Sequence, residues 1–175
     1  MKPTTALIFG PDMPLTAAIT QRLESADFAV EPWSDKPRDA EFRVEVFVFC
    51  LGSLEEDPSA EKIKDFHARV EANVGAPFRI VRDLSGRMRS DGTGRVIFVL
   101  DAKALNGEVD HLASSSSQSA ALGLCRALGH DLARHDVAVM AIVNGGHNLE
   151  TVASLTEWLA GPAGSAAHGK VFPLS

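Results

Sequence analysis

The 175-residue chain contains no tyrosine. This absence excludes any mechanism in which a phenolic hydroxyl donates a proton. Cysteine is scarce as well: the chain has only Cys50 and Cys125. Each lies within an apolar run, so we interpret both as buried side chains. Neither has another cysteine or a histidine at ligand spacing, so the sequence predicts no metal site.

Long hydrophobic runs and an excess of basic residues are also missing. No apolar run approaches the ~20 residues that cross a bilayer, so no transmembrane helix is predicted. The short run Ala6–Phe9 lacks a cleavage signal and is interpreted as a first strand rather than a signal peptide, which favours a cytoplasmic protein. The net charge of −6 argues against a nucleic-acid-binding face, which would need a basic surface.

The composition that remains is typical of a soluble globular protein, with 45% hydrophobic and 23% charged residues. The length suits one sizeable core, so a single domain is predicted over residues 1–175. Short apolar runs predict six strands, at 6–9, 29–32, 44–51, 95–100, 137–143 and 170–174. Helical patterns between them predict helices at about 14–26, 59–89, 114–134 and 149–160.

The predicted strands are continuously apolar rather than alternating, which is typical of strands covered on both faces. Strands that alternate with helices in this way indicate a parallel sheet. We therefore predict an α/β fold: a doubly wound, Rossmann-like parallel sheet of about six strands with helices on both faces.

Four segments resemble the short-chain dehydrogenase/reductase family in their order and spacing. They are Glu71–Phe78, Gly94–Val99, Gly123–Gly145 and Thr151–Leu174. The resemblance implies a Rossmann-like fold that is shortened relative to the family. Only about a dozen residues separate the strands near 30 and 46, too few for the strand-and-helix unit expected there. The substrate loop after residue 143 is similarly reduced.

The catalytic positions of the family can be compared one at a time. The resemblance places Asp101 where the family has its serine, or Leu100 if the alignment slips by one residue. It places Ser114 at the tyrosine and Gln118 at the lysine, and it retains only Asn73. A serine hydroxyl is a far weaker acid than a phenol, and glutamine carries no charge. The resemblance therefore implies a family member without its catalytic residues.

The nucleotide-binding loop is equally altered. The family's glycine-rich pattern becomes the segment from Gly10 to Thr16, in which only the first glycine is retained. Pro11 and Pro14 remove N–H donors, Thr16 adds bulk, and Asp12 brings negative charge to an anion site. No cofactor is therefore expected, and we interpret Gly10, Pro14 and Thr16 as remnants of the loop.

The helix at 114–134 carries an apolar stripe that consists of Ala121, Leu124, Cys125, Leu128 and Leu132. In the resembled family this helix and the helix containing Asn73 build the principal dimer interface. Part of the stripe must pack on the sheet, but its breadth would suit a second packing surface. The leading hypothesis is an inactive interaction or scaffold subunit. It would form a homo-oligomer or pair with an active dehydrogenase or reductase of the family.

Two alternatives remain. The first is an NAD(P)-dependent oxidoreductase or small-ligand sensor that uses an altered cleft with Asp101, Asn73 and His147. His147 follows a glycine pair at the carboxyl end of a strand, where open α/β sheets bind ligands. The second is a flavodoxin-like binding domain, for which strand order is the expected discriminator.

Overall fold

The structure is a computed structural model that describes residues 4–11, 13–34, 42–51, 63–88, 94–107 and 112–174. Its centre is a parallel sheet of six strands. The strands are β1 (Thr4–Phe9), β2 (Phe28–Pro32), β3 (Val46–Cys50), β4 (Arg95–Asp101), β5 (Ala138–Asn144) and β6 (Val171–Leu174). All six predicted strands are present, and the predicted fold class is confirmed.

The strands lie in the order β2-β1-β3-β4-β5-β6. A Rossmann sheet that has lost its third strand and a flavodoxin-like sheet share the order 2-1-3-4-5 after renumbering. Strand order therefore does not separate the two folds, contrary to the expectation from sequence. In both, the chain reverses direction across the sheet between β1 and β3, and this switch point is where ligands bind in open sheets.

Helices cover both faces of the sheet. The helices α1 (Pro14–Ser25) and α6 (Leu149–Ala160) pack on one face through a core that includes Ile19, Leu23 and Leu159. On the opposite face lie α2 (Ile63–Val70), a π-helical turn (Glu71–Gly75), α3 (Ala76–Ser85) and α5 (Leu112–Leu132). A short helix, α4 (Ala102–Asn106), follows β4. Because both faces are covered, every residue of β3 is buried, which explains its unbroken apolar sequence.

The helix predicted at 59–89 differs most from the structure. Its described part runs from Ile63 to Ser85 and is interrupted by the π turn. The π turn inserts one extra residue per turn, which a periodicity pattern does not reveal. The helix predicted at 114–134 begins at Leu112, and its last turn is a 3₁₀ segment, Ala133–His135. The prediction that Asp12 brings negative charge to the start of α1 concerns a residue outside the described ranges.

Arginine and glutamate side chains join the two helices on the α1–α6 face. Arg22 of α1 donates to Glu157 and Glu150 of α6. The pair with Glu157 raises the pKa of the guanidinium, chiefly through the hydrogen bond. Within the described ranges, no helix is both long enough and apolar enough to cross a membrane.

Candidate functional site

A cleft of about 500 Å³ opens at the switch point between β1 and β3. One wall consists of the strand ends, with Phe9–Pro11 from β1 and Cys50 and Leu51 from β3. The other wall consists of Ala68 and Arg69 from α2 and of Ala72 and Asn73 from the π turn. Its position at the carboxyl edge of a parallel sheet makes this cleft the candidate binding site.

Gly10 brings the end of β1 unusually close to the end of β3. A Cβ atom at position 10 would lie 2.5 Å from the Cys50 carbonyl oxygen and 2.8 Å from the Cys50 Cβ. Real side chains do not approach this closely, so the position requires glycine for packing between strands. The retained glycine thus has a structural reason that does not depend on a phosphate ligand.

The described residues at the start of α1 differ from the family's pyrophosphate cradle in two respects. Met13 is the N-cap without a side-chain hydrogen bond, and Pro14 occupies the first helical position, where it offers no N–H group. The Thr16 hydroxyl donates to the Pro11 carbonyl at 2.8 Å and so folds back on the loop. A dinucleotide needs backbone donors free at this helix start. The residues present do not fit that group in the family's manner.

Burial makes the Cys50 thiol at the base of the cleft unreactive. It raises the pKa of Cys50 to about 12, an effect that a hydrogen bond with Thr16 only partly opposes. Cys125 is likewise buried, and burial raises its pKa to about 12. Both thiols remain protonated at neutral pH and cannot act as nucleophiles, because a nucleophile requires the thiolate.

Asn73, the retained family residue, lies in the π turn and reaches α5. Its amide Nδ2 donates to the Ser117 hydroxyl at 2.9 Å. The Ser117 hydroxyl in turn donates to the Ser114 carbonyl at 3.1 Å. Ser114 and Ser117 are both buried. The Asn73 amide therefore joins the π turn to the buried side of α5.

Gln118 connects α5 to the end of β4. Its Oε1 accepts a hydrogen bond from the Asp101 backbone N–H at 2.7 Å, and the glutamine is fully buried. The Asp101 carboxylate accepts from the Lys103 N–H and caps α4. The positions that the resemblance assigned to catalysis are therefore near one another. Their described hydrogen bonds form two sets, one between Asp101 and Gln118 and one that runs from Asn73 through Ser117 to Ser114.

His147 lies at the same edge of the sheet. Asn144 at the end of β5 pairs with Asp101 at the end of β4. The Asn144 Oδ1 accepts a hydrogen bond from the His147 backbone N–H at 2.9 Å. The same oxygen accepts from Gly146, so Asn144 organises the turn. The bonds described for Asp101, Asn73 and His147 thus serve three separate structural purposes: a helix cap, a helix-to-helix brace and a turn.

The structure corrects the residues assigned to an interface on α5. Ala121, Cys125, Leu128 and Leu132 are buried in the core against the sheet, with at most 7% exposure. Only Leu124 is half-buried. The helix has small or apolar residues on most sides, so its sequence stripe did not show which side meets the sheet. The exposed side of α5 instead carries Ala120, Gly123 and Ala127.

Sequence reasoning missed Arg69, which lines the cleft from α2. The signal was available, because Arg69 precedes Asn73 by four residues and so lies on the same side of a helix. Among the described residues, no group of three histidine, cysteine or acidic side chains could hold a metal ion.

Comparison with known proteins identifies the class that this fold and site define. The family model described as short chain dehydrogenase matches residues 17–160. The chain belongs to this family.

A relative among curated proteins is the (2S)-[(R)-hydroxy(phenyl)methyl]succinyl-CoA dehydrogenase subunit BbsC of Thauera aromatica, 34% identical over 124 residues. The match covers 68% of this chain and 48% of that protein. A putative ketoacyl reductase of Streptomyces coelicolor is 31% identical over 90 residues, which cover 50% of this chain and 34% of the reductase. The chain therefore spans half or less of the length of these curated relatives.

Solved structures agree on the fold. An oxidoreductase of the short-chain dehydrogenase/reductase family from Burkholderia thailandensis superimposes with a TM-score of 0.85. The alignment covers 100% of this chain and 92% of that one, at 18% identity. At this identity the likeness establishes the fold alone. The agreement with a dehydrogenase fold, together with the family match, decides against the flavodoxin-like alternative that strand order left open.

Proposed function

We propose that this chain is a member of the short-chain dehydrogenase family that has lost hydride-transfer chemistry and serves as a structural subunit. The observation that carries the proposal is the buried hydrogen bond from the Asp101 N–H to Gln118. In the resembled family a lysine stands at the position of Gln118. Here the side chain is a fully buried neutral amide whose Oε1 accepts a hydrogen bond from the backbone of β4. It therefore supplies no cation beside a reacting group.

The position of the family's acid supports the same conclusion. Ser114 is 5% exposed, and its carbonyl accepts the hydrogen bond from Ser117. A serine hydroxyl acts as an acid only when a neighbouring group activates it strongly. The described hydrogen bonds run from the Asn73 amide to the Ser117 hydroxyl and from there to the Ser114 carbonyl, all uncharged groups, so we infer that this network holds helices together rather than moving protons.

The proposal extends to the cofactor. Dehydrogenases of this family use NAD(P) as the hydride carrier, and the protein must hold its pyrophosphate. Two prolines and the folded-back Thr16 hydroxyl occupy the loop that would do so. We infer that the chain does not bind a dinucleotide in the family's manner.

A subunit role is supported by the exposed side of α5. Ala120, Gly123 and Ala127 follow one another at spacings of three and four residues, so they form one narrow stripe of small side chains. Small residues allow a second helix to approach closely. In the resembled family this helix lies in the dimer interface, and the Thauera relative is named as a subunit. The proposed partner is a second copy of this chain or an active dehydrogenase or reductase of the family.

Charge substitutions on the stripe test the subunit role. Ala120→Glu with Ala127→Glu should dissociate the assembly, whereas Ala17→Glu on the exposed side of α1 is the matched control. Mass is measured by light scattering, first for the chain alone and then after co-expression with an active family dehydrogenase. A dimer or a complex that only the α5 variant dissociates is expected. A chain that stays monomeric in both settings, or an assembly that the double variant leaves intact, would contradict the proposal.

A further inference from the structure

The cleft between β1, β3 and the π turn retains the size of a small-molecule site. Its volume of about 500 Å³ lies within the range of about 300–1,000 Å³ that such sites occupy. Apolar side chains dominate its walls, with Phe9, Met13 and Leu51 on the strand side and the methyl groups of Ala68 and Ala72 opposite. An apolar cleft of this size favours a ligand with an apolar body.

Arg69 gives the cleft a charge. Among the described residues that line it, Arg69 is the only one with an ionisable group other than the buried thiol of Cys50. It is half-buried, and none of the described carboxylates forms an ion pair with it. A guanidinium carries its charge at every physiological pH and binds carboxylate and sulfonate oxygens through paired N–H donors.

The same walls disfavour a diphosphate. Pro14 removes a donor from the start of α1, and the Thr16 hydroxyl is bonded to the Pro11 carbonyl. The amide of Asn73 is bonded to Ser117. Within the described part of the cleft there is thus one cation, and three of the groups beside it offer no free donor. That arrangement suits one anionic group better than two adjoining phosphates.

We propose that this cleft binds a small organic monoanion with an apolar body, such as an aromatic or fatty carboxylate, whose anionic group pairs with Arg69. The binding residues belong to α2 and to the ends of β1 and β3, and they are separate from the α5 stripe. The inference therefore goes beyond the subunit role. It assigns the subunit a ligand of this class.

The test uses 8-anilinonaphthalene-1-sulfonate as the probe, an apolar aromatic monoanion whose fluorescence reports its binding. Octanoate and benzoate should displace it, whereas octanol and benzamide, which share the apolar bodies but carry no charge, should not. Arg69→Gln should weaken binding by about tenfold, because it removes a charged partner. Arg82→Gln, on the exposed side of α3, is the matched control.

A second variant fills the cleft without changing charge. Ala72→Trp should abolish saturable probe binding, and Ala17→Trp on α1 should not. Circular dichroism confirms that each variant is folded, and Arg69→Gln decides the outcome if Ala72→Trp does not fold. Non-saturable binding, or binding that Arg69→Gln leaves unchanged, would overturn the inference. Parallel titration with NADH separates the proposals: saturable NADH binding would contradict the proposed loss of the cofactor, and the Arg69 result would still decide the monoanion site.

Discussion

Gln118 in α5 and Asp101 at the end of β4 are joined by a hydrogen bond of 2.7 Å between the glutamine Oε1 and the aspartate backbone N–H. Seventeen residues separate them in the chain. The bond satisfies a backbone donor where the sheet ladder ends, and it does so with a side chain at the position of the family's lysine. Stability rather than catalysis is the property that substitution of Gln118 should affect first.

Gln118→Met should lower the free energy of unfolding by about 1–3 kcal/mol, because a similar volume is kept while the Asp101 N–H loses its buried acceptor. Gln21→Met, on the exposed side of α1, should change it by less than about 0.5 kcal/mol. Urea unfolding measures both. Equal effects of the two substitutions would show that the Gln118 bond contributes nothing.

The contact between Asn73 and Ser117 predicts an energetic coupling across two helices. In a double-mutant cycle with Asn73→Ala and Ser117→Ala, the two losses should be non-additive by about 0.5–1.5 kcal/mol, since either change alone breaks the 2.9 Å bond. Urea unfolding of the four proteins provides the cycle. Strict additivity would mean that the π turn and α5 are not coupled through these side chains.

Gly10→Ala should destabilise the fold by about 1–3 kcal/mol, because its Cβ would lie 2.5 Å from a backbone oxygen of β3 that cannot rotate away. Gly86→Ala is the control, since nothing lies within 4 Å of its added Cβ and its φ of −72° is ordinary. That substitution should be neutral or stabilising by up to about 1 kcal/mol. Thermal unfolding compares them, and a harmless Gly10→Ala would refute the packing explanation.

The burial of the two thiols predicts that they are unreactive in the native protein and that the stability of the fold depends on pH. Burial raises the pKa of Cys50 and Cys125 from 9.0 to about 12, so the folded protein keeps them protonated while the unfolded chain ionises them. This contribution to stability is full below about pH 9 and is lost as the pH rises toward 12. A thiol reagent at pH 8 should label neither cysteine in the native protein and both in denaturant.

The pH dependence has its own control. Cys125→Ala should reduce the loss of stability between pH 9 and pH 11, because one of the two groups that titrate only after unfolding is gone. Melting temperatures over this range provide the measurement. Rapid labelling of the native protein, or a slope that the substitution leaves unchanged, would show that the thiols are not shielded as the structure indicates.

Sequence periodicity was sufficient for the sheet and most helices, because buried strands such as Val46–Cys50 must be apolar on both faces. Periodicity did not predict which side of a helix packs on the sheet where several sides of that helix have similar residues. The α5 sequence has small or apolar residues on most sides, so Leu128 was assigned to an interface although it packs in the core.

Other features left no local signal. The π turn at Glu71–Gly75 changes the helical spacing without changing composition. The hydrogen bonds of Asn73 and Gln118 join segments that are 44 and 17 residues apart. Only the family resemblance brought these residues into one region, and it could not show that they bond to backbone and to uncharged groups.

Calorimetric titration of the purified chain with NADH and NADPH tests the central claim most directly, because hydride transfer in this family requires a bound dinucleotide. The account predicts no saturable heat at millimolar cofactor, since Pro14 and the Thr16–Pro11 bond occupy the loop that would bind the pyrophosphate. Stoichiometric binding of either cofactor would contradict the proposed loss of the cofactor. It would favour an active dehydrogenase site in the altered cleft.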